Sequence, residues 1–345
     1  MRFSASFLKD YCEKLMTARG VDVDCAETVA DMLLDAELTG VSTHGVSRLA
    51  IYLERVEKGL VSRHNEVKVL RESPSAVAID AGNSLGAVGA KFAMETCIRK
   101  ARETGCCFAT VKRSNHFGAA AYYTRMAAKE GMIGFCCTNL TAKIAPHGAA
   151  EPFMGTDPIS LAVPSDGFPV VLDMTPSVVA LGKLILAQKL GKDIPLGWAL
   201  DRDGKPTADP AAGREGSLIP IGGPKGSGLA LMVEVLSGIL SGAGTATHLH
   251  DLYEFDAPQG VGHFLGAIDV SHFLDSDAFR AGVSAMAGEI KGLKRAEGID
   301  EILLPGERSA RNAKQKARDG IDVPEAVCAE LSALGEPYGM KLEEA

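Results

Sequence analysis

Apolar residues recur with the 3.6-residue period of a helix from Ser6 to Arg19 and again from Asp24 to Thr39. Ser4 or Ser6 is placed to cap the first of these helices, and Gly20 to end it. A third helix is expected from near Ser42 to about Lys58, stopped by Gly59. The start of the chain thus reads as a helical unit. The period then changes. SAVAIDA (75–81), CCFATVKR (106–113) and MIGFCCTN (132–139) read as strands, separated by helices at Gly89–Thr104 and Ala119–Lys129. This β-α-β-α-β alternation points to an α/β unit. The apolar runs 159–164 and 169–174 flank Ser165-Asp166-Gly167, and Asp-Gly in that position marks a hairpin, so the sheet is expected to be mixed. A helix follows at Ser177–Leu190, then a polar, turn-rich stretch from Gly191 to Gly223. The segment Gly226–Leu240 is apolar on nearly every face, which predicts a helix at the centre of the core. A strand at Phe264–Val270, a helix at Ser276–Arg295, a short strand at 301–306 and helices at Ser309–Arg318 and Pro324–Leu334 complete the pattern.

Composition narrows the class. At roughly 150 residues per domain, 345 residues suggest about two domains. Apolar residues at 46% and charged residues at 23% exclude extensive disorder. The net charge of −8 argues against a nucleic-acid partner, which would need a basic footprint. The longest apolar stretch, Gly228–Gly242, is interrupted by Glu234 and falls short of the ~20 residues of a membrane span. The N-terminal residues lack the apolar run of a signal peptide, so a soluble, cytoplasmic protein without a membrane partner is expected. None of the eight cysteines forms a C-x-x-C pair, which predicts reduced, buried thiols. His248-x-His250-Asp251 has no further ligands in view, so no metal site is expected.

Four segments carry candidate chemistry. His44, Arg48 and Tyr52 are spaced i, i+4, i+8, which on a continuous helix puts them on one face. Arginine can grip a carboxylate bidentately, and histidine can exchange a proton near neutral pH. Ser114-Asn115-His116-Phe117-Gly118 follows a strand, where α/β folds commonly hold ligands. The loop Leu140–Pro158 is too rich in glycine and proline to be a simple connector, and it holds Pro146-His147-Gly148 and Gly155-Thr156-Asp157-Pro158. Gly222-Gly223-Pro224-Lys225-Gly226-Ser227-Gly228 opens a helix, and glycines with a lysine at a helix start suit an anion such as pyrophosphate. Gly260-x-Gly262-x-x-x-Gly266 precedes a strand and does not read as a dinucleotide fingerprint.

Taken in order, STHGVSRLAIYLERVEKG, SNHFGAAAYYTRMAAKEGMIGFCCTN, APHGAAEPFMGTDPIS, VVLDMTPSVVALGK, IPLGWALDRDGKPTADP, GGPKGSGLALMVEVLSGILSG and LLPGER resemble the malate/L-lactate dehydrogenase superfamily that is distinct from the Rossmann-type enzymes of those names. The similarity spans about residues 5–340. It implies a non-Rossmann α/β fold: a mixed, largely antiparallel sheet with flanking helices, beside a helical domain built from both chain ends. The expected division is 1–70 with 308–345 as the helical domain and 71–307 as the cofactor- and substrate-binding domain. The resemblance also implies a homodimer or higher homo-oligomer, with the active site near the subunit interface. The implied reaction is interconversion of a small 2-hydroxy acid and its 2-oxo acid, with NAD, or alternatively NADP, carrying the hydride. Reduction of cyclic imino acids, as in the ketimine reductases of the superfamily, is the alternative activity. His116 and His44 match the family's proposed acid/base histidines, and Arg48 matches its carboxylate anchor, with Tyr52 beside it. Thr43, Asn115 and Thr156 are expected in the substrate pocket. The implied cofactor contacts are Asn139, Leu140, Pro146, His147, Gly148, Asp173, Met174, Thr175, Lys225, Gly226, Gly306 and Glu307. Five positions depart from the family's common motifs: Thr43, Leu140, Asp157 and the Thr175-Pro176 pair. Asp157 puts a carboxylate where an amide is usual, suited either to an N-cap or to a cationic or imine substrate.

Overall fold

The computed structural model describes residues 1–343. Helices α1 (Ala5–Ala18) and α2 (Val23–Thr39) pack on each other through the apolar faces their periodicity defines, burying Leu8, Leu15 and Met16 against Ala26, Val29 and Leu33. Ser4 caps α1, its Oγ accepting the Phe7 N–H at 3.2 Å. The expected third helix does not run through. Two single 3₁₀ turns, Ser42–His44 and Val46–Arg48, precede α3 (Leu49–Glu57). The cause is Glu37, a buried carboxylate that accepts the Val46 N–H at 3.0 Å. A Cβ at Gly45 would overlap that carboxylate, and Gly45 is extended (φ −88°, ψ −151°) where a helix would need αR backbone.

A seven-stranded sheet forms the centre. Its strands are β2 (Lys68–Ser73), β3 (Ala76–Asp80), β4 (Cys106–Ser114), β5 (Met132–Thr138), β6 (Ile159–Val163), β7 (Val170–Met174) and, after three short strands described below, β11 (Val261–Asp269). The order is β2-β3-β4-β11-β5-β6-β7, and only β3 and β4 run parallel. Strand β11 is thus inserted between two strands that the β-α-β alternation would have made neighbours. α4 (Gly86–Thr104) and α5 (Ala120–Lys129) pack on the sheet, burying Met94, Cys97, Tyr123 and Ala127 against Val111, Cys136 and Leu265. The Asp-Gly hairpin joins β6 and β7 as expected. β2, exposed along its whole length, is an edge strand with no apolar alternation to announce it.

The turn-rich stretch holds structure of its own. α6 (Leu181–Lys189), α7 (Pro210–Glu215) and a small sheet of β8 (Ala199–Leu200), β9 (Pro206–Thr207) and β10 (Ser217–Leu218) close over Ile144, Leu184, Ile194 and Leu218. α8 (Pro224–Val233) continues as a π-helical stretch, Glu234–Ile239. This segment is not central to the core: Leu229, Leu231, Met232, Ile239 and Leu240 are all exposed. An apolar surround marks burial, and within a single chain nothing among the described residues covers this face. α9 (Ser276–Gly292) likewise buries no residue. The expected strand at 301–306 is irregular instead. It meets the sheet through one backbone bond, Val171 N–H to Pro305 O (3.0 Å), and Leu304 N–H turns to the Glu307 carboxylate.

Both chain ends meet. β1 (Arg2–Phe3) pairs with β12 (Ile321–Asp322), and one apolar cluster draws on α1, α2, α3 and α11 (Glu325–Gly335). α10 (Glu307–Asp319) packs on α2, with Lys316 Nζ donating to Glu37 O at 2.7 Å. Among the described residues no helix is long and apolar enough to cross a membrane.

Candidate active site

The strand β4 ends at Ser114, and the following turn carries Asn115, His116 and Phe117 towards the helical unit. There the His116 ring stacks on His44 (centroids 5.6 Å apart), and Tyr52 Oη lies 2.7 Å from His116 Nδ1. The Gly118 N–H also points at Nδ1, at 3.4 Å. The Tyr52 hydroxyl can donate to Nδ1 or accept from it, so it holds the ring in either tautomer, and Nε2 is the nitrogen left open. Among the described residues Nε2 has no hydrogen-bond partner. Burial pulls the His116 pKa well below the ordinary value, aided by His44 and Arg48, and burial with Arg48 pulls His44 down to about 4. His44 Nδ1 lies 3.1 Å from Thr43 Oγ1.

The helical stripe expected for His44, Arg48 and Tyr52 does not exist, because the chain is extended at Gly45. The three still converge by a different route. His44 and Tyr52 both face His116, and Arg48 turns back so that Nε donates to Thr43 O at 2.6 Å. Asn115 is buried, its Nδ2 donating to Ser84 O (2.9 Å) and Asn83 Oδ1 (3.0 Å), while its Oδ1 has no partner among the described residues.

Sequence patterning missed the segment that closes the cluster on its other side. Gln259 is buried and accepts the His116 N–H at 2.9 Å, and the Tyr253 hydroxyl bonds Arg48 Nη1. Nothing local in 249–259 signals either role. Arg55 holds the segment in place. Its fully buried guanidinium donates to the carbonyls of Asp251 (3.4 Å), Leu252 (3.1 Å), Glu254 and Ala257 (2.9 Å). Asp251 in turn ties the cluster to the 140s loop, accepting from Thr141 Oγ1 (3.0 Å) and pairing with Lys143 (3.3 Å). His250, Glu254 and Asp256 group on the surface with ligand atoms within 4.8 Å of one another, and His248 is not among them.

The segments expected to hold a cofactor lie side by side. Ser227 Oγ accepts the His147 N–H at 3.1 Å, placing Pro146-His147-Gly148 against the start of α8. Ile221 N–H bonds Pro176 O (2.8 Å), and Val171 N–H bonds Pro305 O, so Asp173–Thr175 sits between the α8 start and Gly306-Glu307. Gly222 and Gly223 take positive φ (59° and 60°) to make the turn before α8. The amides of Lys225, Gly226 and Ser227 are already bonded to carbonyls of that turn, so what the helix start offers an anion is its dipole and the exposed Lys225, whose ammonium has no partner among the described residues. Asp173 is exposed, yet surrounding protein pushes its carboxyl up to about 6, and Oδ2 accepts the Ala121 N–H at 3.0 Å. Two expected contacts have side chains committed elsewhere. Asn139 bonds Glu234 Oε2 (3.0 Å), Gly244 O (2.8 Å) and the Gly262 N–H (3.0 Å), and the Glu307 carboxylate pairs with Lys291 and Arg311. Leu140, Met174 and Thr156 are half-buried nearby in the chain.

Asp157 caps no helix: a strand follows it. It is fully buried with φ +37°, its Oδ1 accepting the Leu140 N–H at 3.1 Å, and its Oδ2 has no partner among the described residues. Burial and the nearby Glu234 carboxyl raise its pKa well above the ordinary carboxylate value, and with no exposed surface it is closed off from a substrate.

A histidine with one ring nitrogen anchored and the other open thus lies beside a partly buried arginine. The malate/L-lactate dehydrogenase family matches residues 3–332, and the chain belongs to it. The malate dehydrogenase of Pyrococcus abyssi is 37% identical over 99% of this chain and 96% of its own length. An Escherichia coli ureidoglycolate dehydrogenase (NAD(+)) is 32% identical, over 94% and 93%. The crystal structure of sulfolactate dehydrogenase from Methanocaldococcus jannaschii superposes with a TM-score of 0.93 at 35% identity, covering 99% of this chain and 98% of that one. The protein is a 2-hydroxy acid dehydrogenase with the mixed, non-Rossmann sheet described above.

Proposed function

We propose that the protein interconverts a small 2-hydroxy acid and its 2-oxo acid, using NAD with NADP as the alternative, and that His116 exchanges the proton. The observation that carries this reading is the His116 ring: Nδ1 anchored by Tyr52 and the Gly118 amide, Nε2 open. A nicotinamide supplies the hydride in one direction and takes it in the other. The unpaired Lys225 at the start of α8, the side-chain-free Gly222-Gly223 turn and the facing His147 fit its pyrophosphate. Arg48 holds the substrate carboxylate, which fixes the reacting carbon and supplies much of the catalysis by positioning. In reduction the imidazolium gives its Nε2 proton to the developing alkoxide, leaving the neutral ring protonated on Nδ1, which donates to Tyr52 Oη; in oxidation Nε2 takes the proton from the substrate hydroxyl. The Tyr52 hydroxyl can donate to Nδ1 or accept from it, so it follows the imidazole through both states. His44, stacked on the ring, orients it, and Thr43, Asn115 and Thr156 line the pocket.

A general acid contributes roughly 10²–10⁴-fold, so His116→Ala lowers kcat at least about tenfold. NADH binding, followed by fluorescence titration, stays near wild type. Normal turnover in His116→Ala with loss in His44→Ala would reverse the two roles. Initial rates with NADH and NADPH against 2-oxo acids and cyclic imino acids settle the cofactor, and activity on imines alone would move the protein to the ketimine-reductase reading. We read the chain as a helical domain, 1–70 with 308–345, and an α/β domain, 71–307. We read its exposed α8 face as the contact with a second copy in a homodimer.

A further inference from the structure

The Arg48 guanidinium is only partly committed. Nε donates to Thr43 O, Nη1 donates to the Tyr253 hydroxyl, and Nη2 has no partner among the described residues. Because the phenol oxygen accepts from Arg48, its own O–H is left to donate outward. Tyr253 is not there to fill a core: it is 61% exposed, its ring centroid 5.9 Å from the guanidinium carbon. It is nevertheless held. Its N–H bonds Asp251 Oδ1 at 3.0 Å, and the turn it sits on is pinned through backbone carbonyls by Arg55, which lies one helical turn from Tyr52. An exposed aromatic residue fixed against the candidate carboxylate anchor, with a free donor, is a pre-organised half of a binding site.

We propose that Tyr253 is a substrate-binding residue. Its O–H and Arg48 Nη2 each receive one oxygen of the substrate carboxylate, forming a two-pronged clamp from a phenol and a guanidinium. Arg55 positions the phenol through the backbone. The proposal rests on the reading of Arg48 as the carboxylate anchor.

The test is Tyr253→Phe, which keeps the ring and removes only the O–H. At a position this exposed the substitution does not threaten folding. A hydrogen bond to a charged group is worth about tenfold or more in affinity. KM for 2-oxo acids therefore rises about tenfold, kcat changes by less than about threefold, and NADH affinity is unchanged. Calorimetric titration of oxalate, an unreactive carboxylate, into the protein–NADH complex weakens by a similar factor. Unchanged KM and unchanged oxalate binding would overturn the role of Tyr253 while leaving the dehydrogenase reading intact. A fall in kcat at constant KM would also overturn it, because the phenol would then act only in the transition state. A wild-type protein that neither reduces 2-oxo acids nor binds oxalate would overturn both readings.

Discussion

At the scale of single residues, the absent side chain at Gly45 decides where His44 goes. With no Cβ to collide, the Glu37 carboxylate closes on the Val46 amide, the helix breaks, and the His44 ring turns onto His116. The sequence grouped His44, Arg48 and Tyr52 for a reason the structure replaces, since a helical stripe and a broken turn bring the same three side chains together. Tyr253 and Gln259 were illegible because their partners lie 205 and 143 residues away, and no local pattern encodes that distance. His263 was likewise not singled out. It is fully buried between Thr138 Oγ1 (2.7 Å) and Ser114 Oγ (2.7 Å), stacked on Phe117 (4.5 Å), and burial pushes its pKa down to about 3. Its folded-state pKa lies below the unfolded value near 6.5, so the neutral ring contributes fully above about pH 6.5, and the contribution is lost as pH falls from there towards 3. His263→Gln cannot ionise but can still bond both hydroxyls. It is expected to be less stable than wild type at pH 7.5, with the gap narrowing steadily below pH 6.5 in denaturant titrations; a gap independent of pH would contradict this.

At the scale of elements, the site is a joint between α3 and the 249–259 segment. Arg55 is the pin. Removing its guanidinium strands the buried Leu252 carbonyl, at roughly 1–3 kcal/mol, and three part-buried ones at less, so Arg55→Ala should lose more than about 2 kcal/mol of stability by denaturant unfolding. The same variant should lose catalytic efficiency through both Tyr253 and Gln259. Normal stability with normal kinetics would show that the segment holds itself. Helices with clear apolar faces, such as α1, α2 and α4, were legible to within a few residues, as was the Asp-Gly hairpin. The 301–306 segment was not: Leu303 and Leu304 look like strand residues, but Leu303 is exposed and the backbone is spent on Glu307 and Val171. β2 escaped for the opposite reason, since an exposed edge strand needs no apolar alternation.

At the scale of the whole molecule, apolar periodicity said which segments are sheltered but not by what. The α8 stretch was expected in the core, yet Leu231, Met232, Ile239 and Leu240 are exposed. A face of this kind marks an interface. If the proposed homodimer uses this face, Met232→Glu together with Ile239→Glu gives monomers in light scattering, without lowering the unfolding temperature of the monomer; a dimer that persists would place the contact elsewhere. Sheet order was also beyond the sequence, because alternation predicts neighbours in time and not in space.

The position of β11 has a consequence for how the chain is made. Its residue His263 pairs opposite Thr138, 125 residues earlier, and it separates β4 from β5. During synthesis both of those strands emerge with an open, apolar edge and wait for a partner that arrives much later. Closure over so long a loop is slow. The nascent protein therefore passes through a stage with two adhesive edges at its centre, the stage at which a chaperone would be needed most.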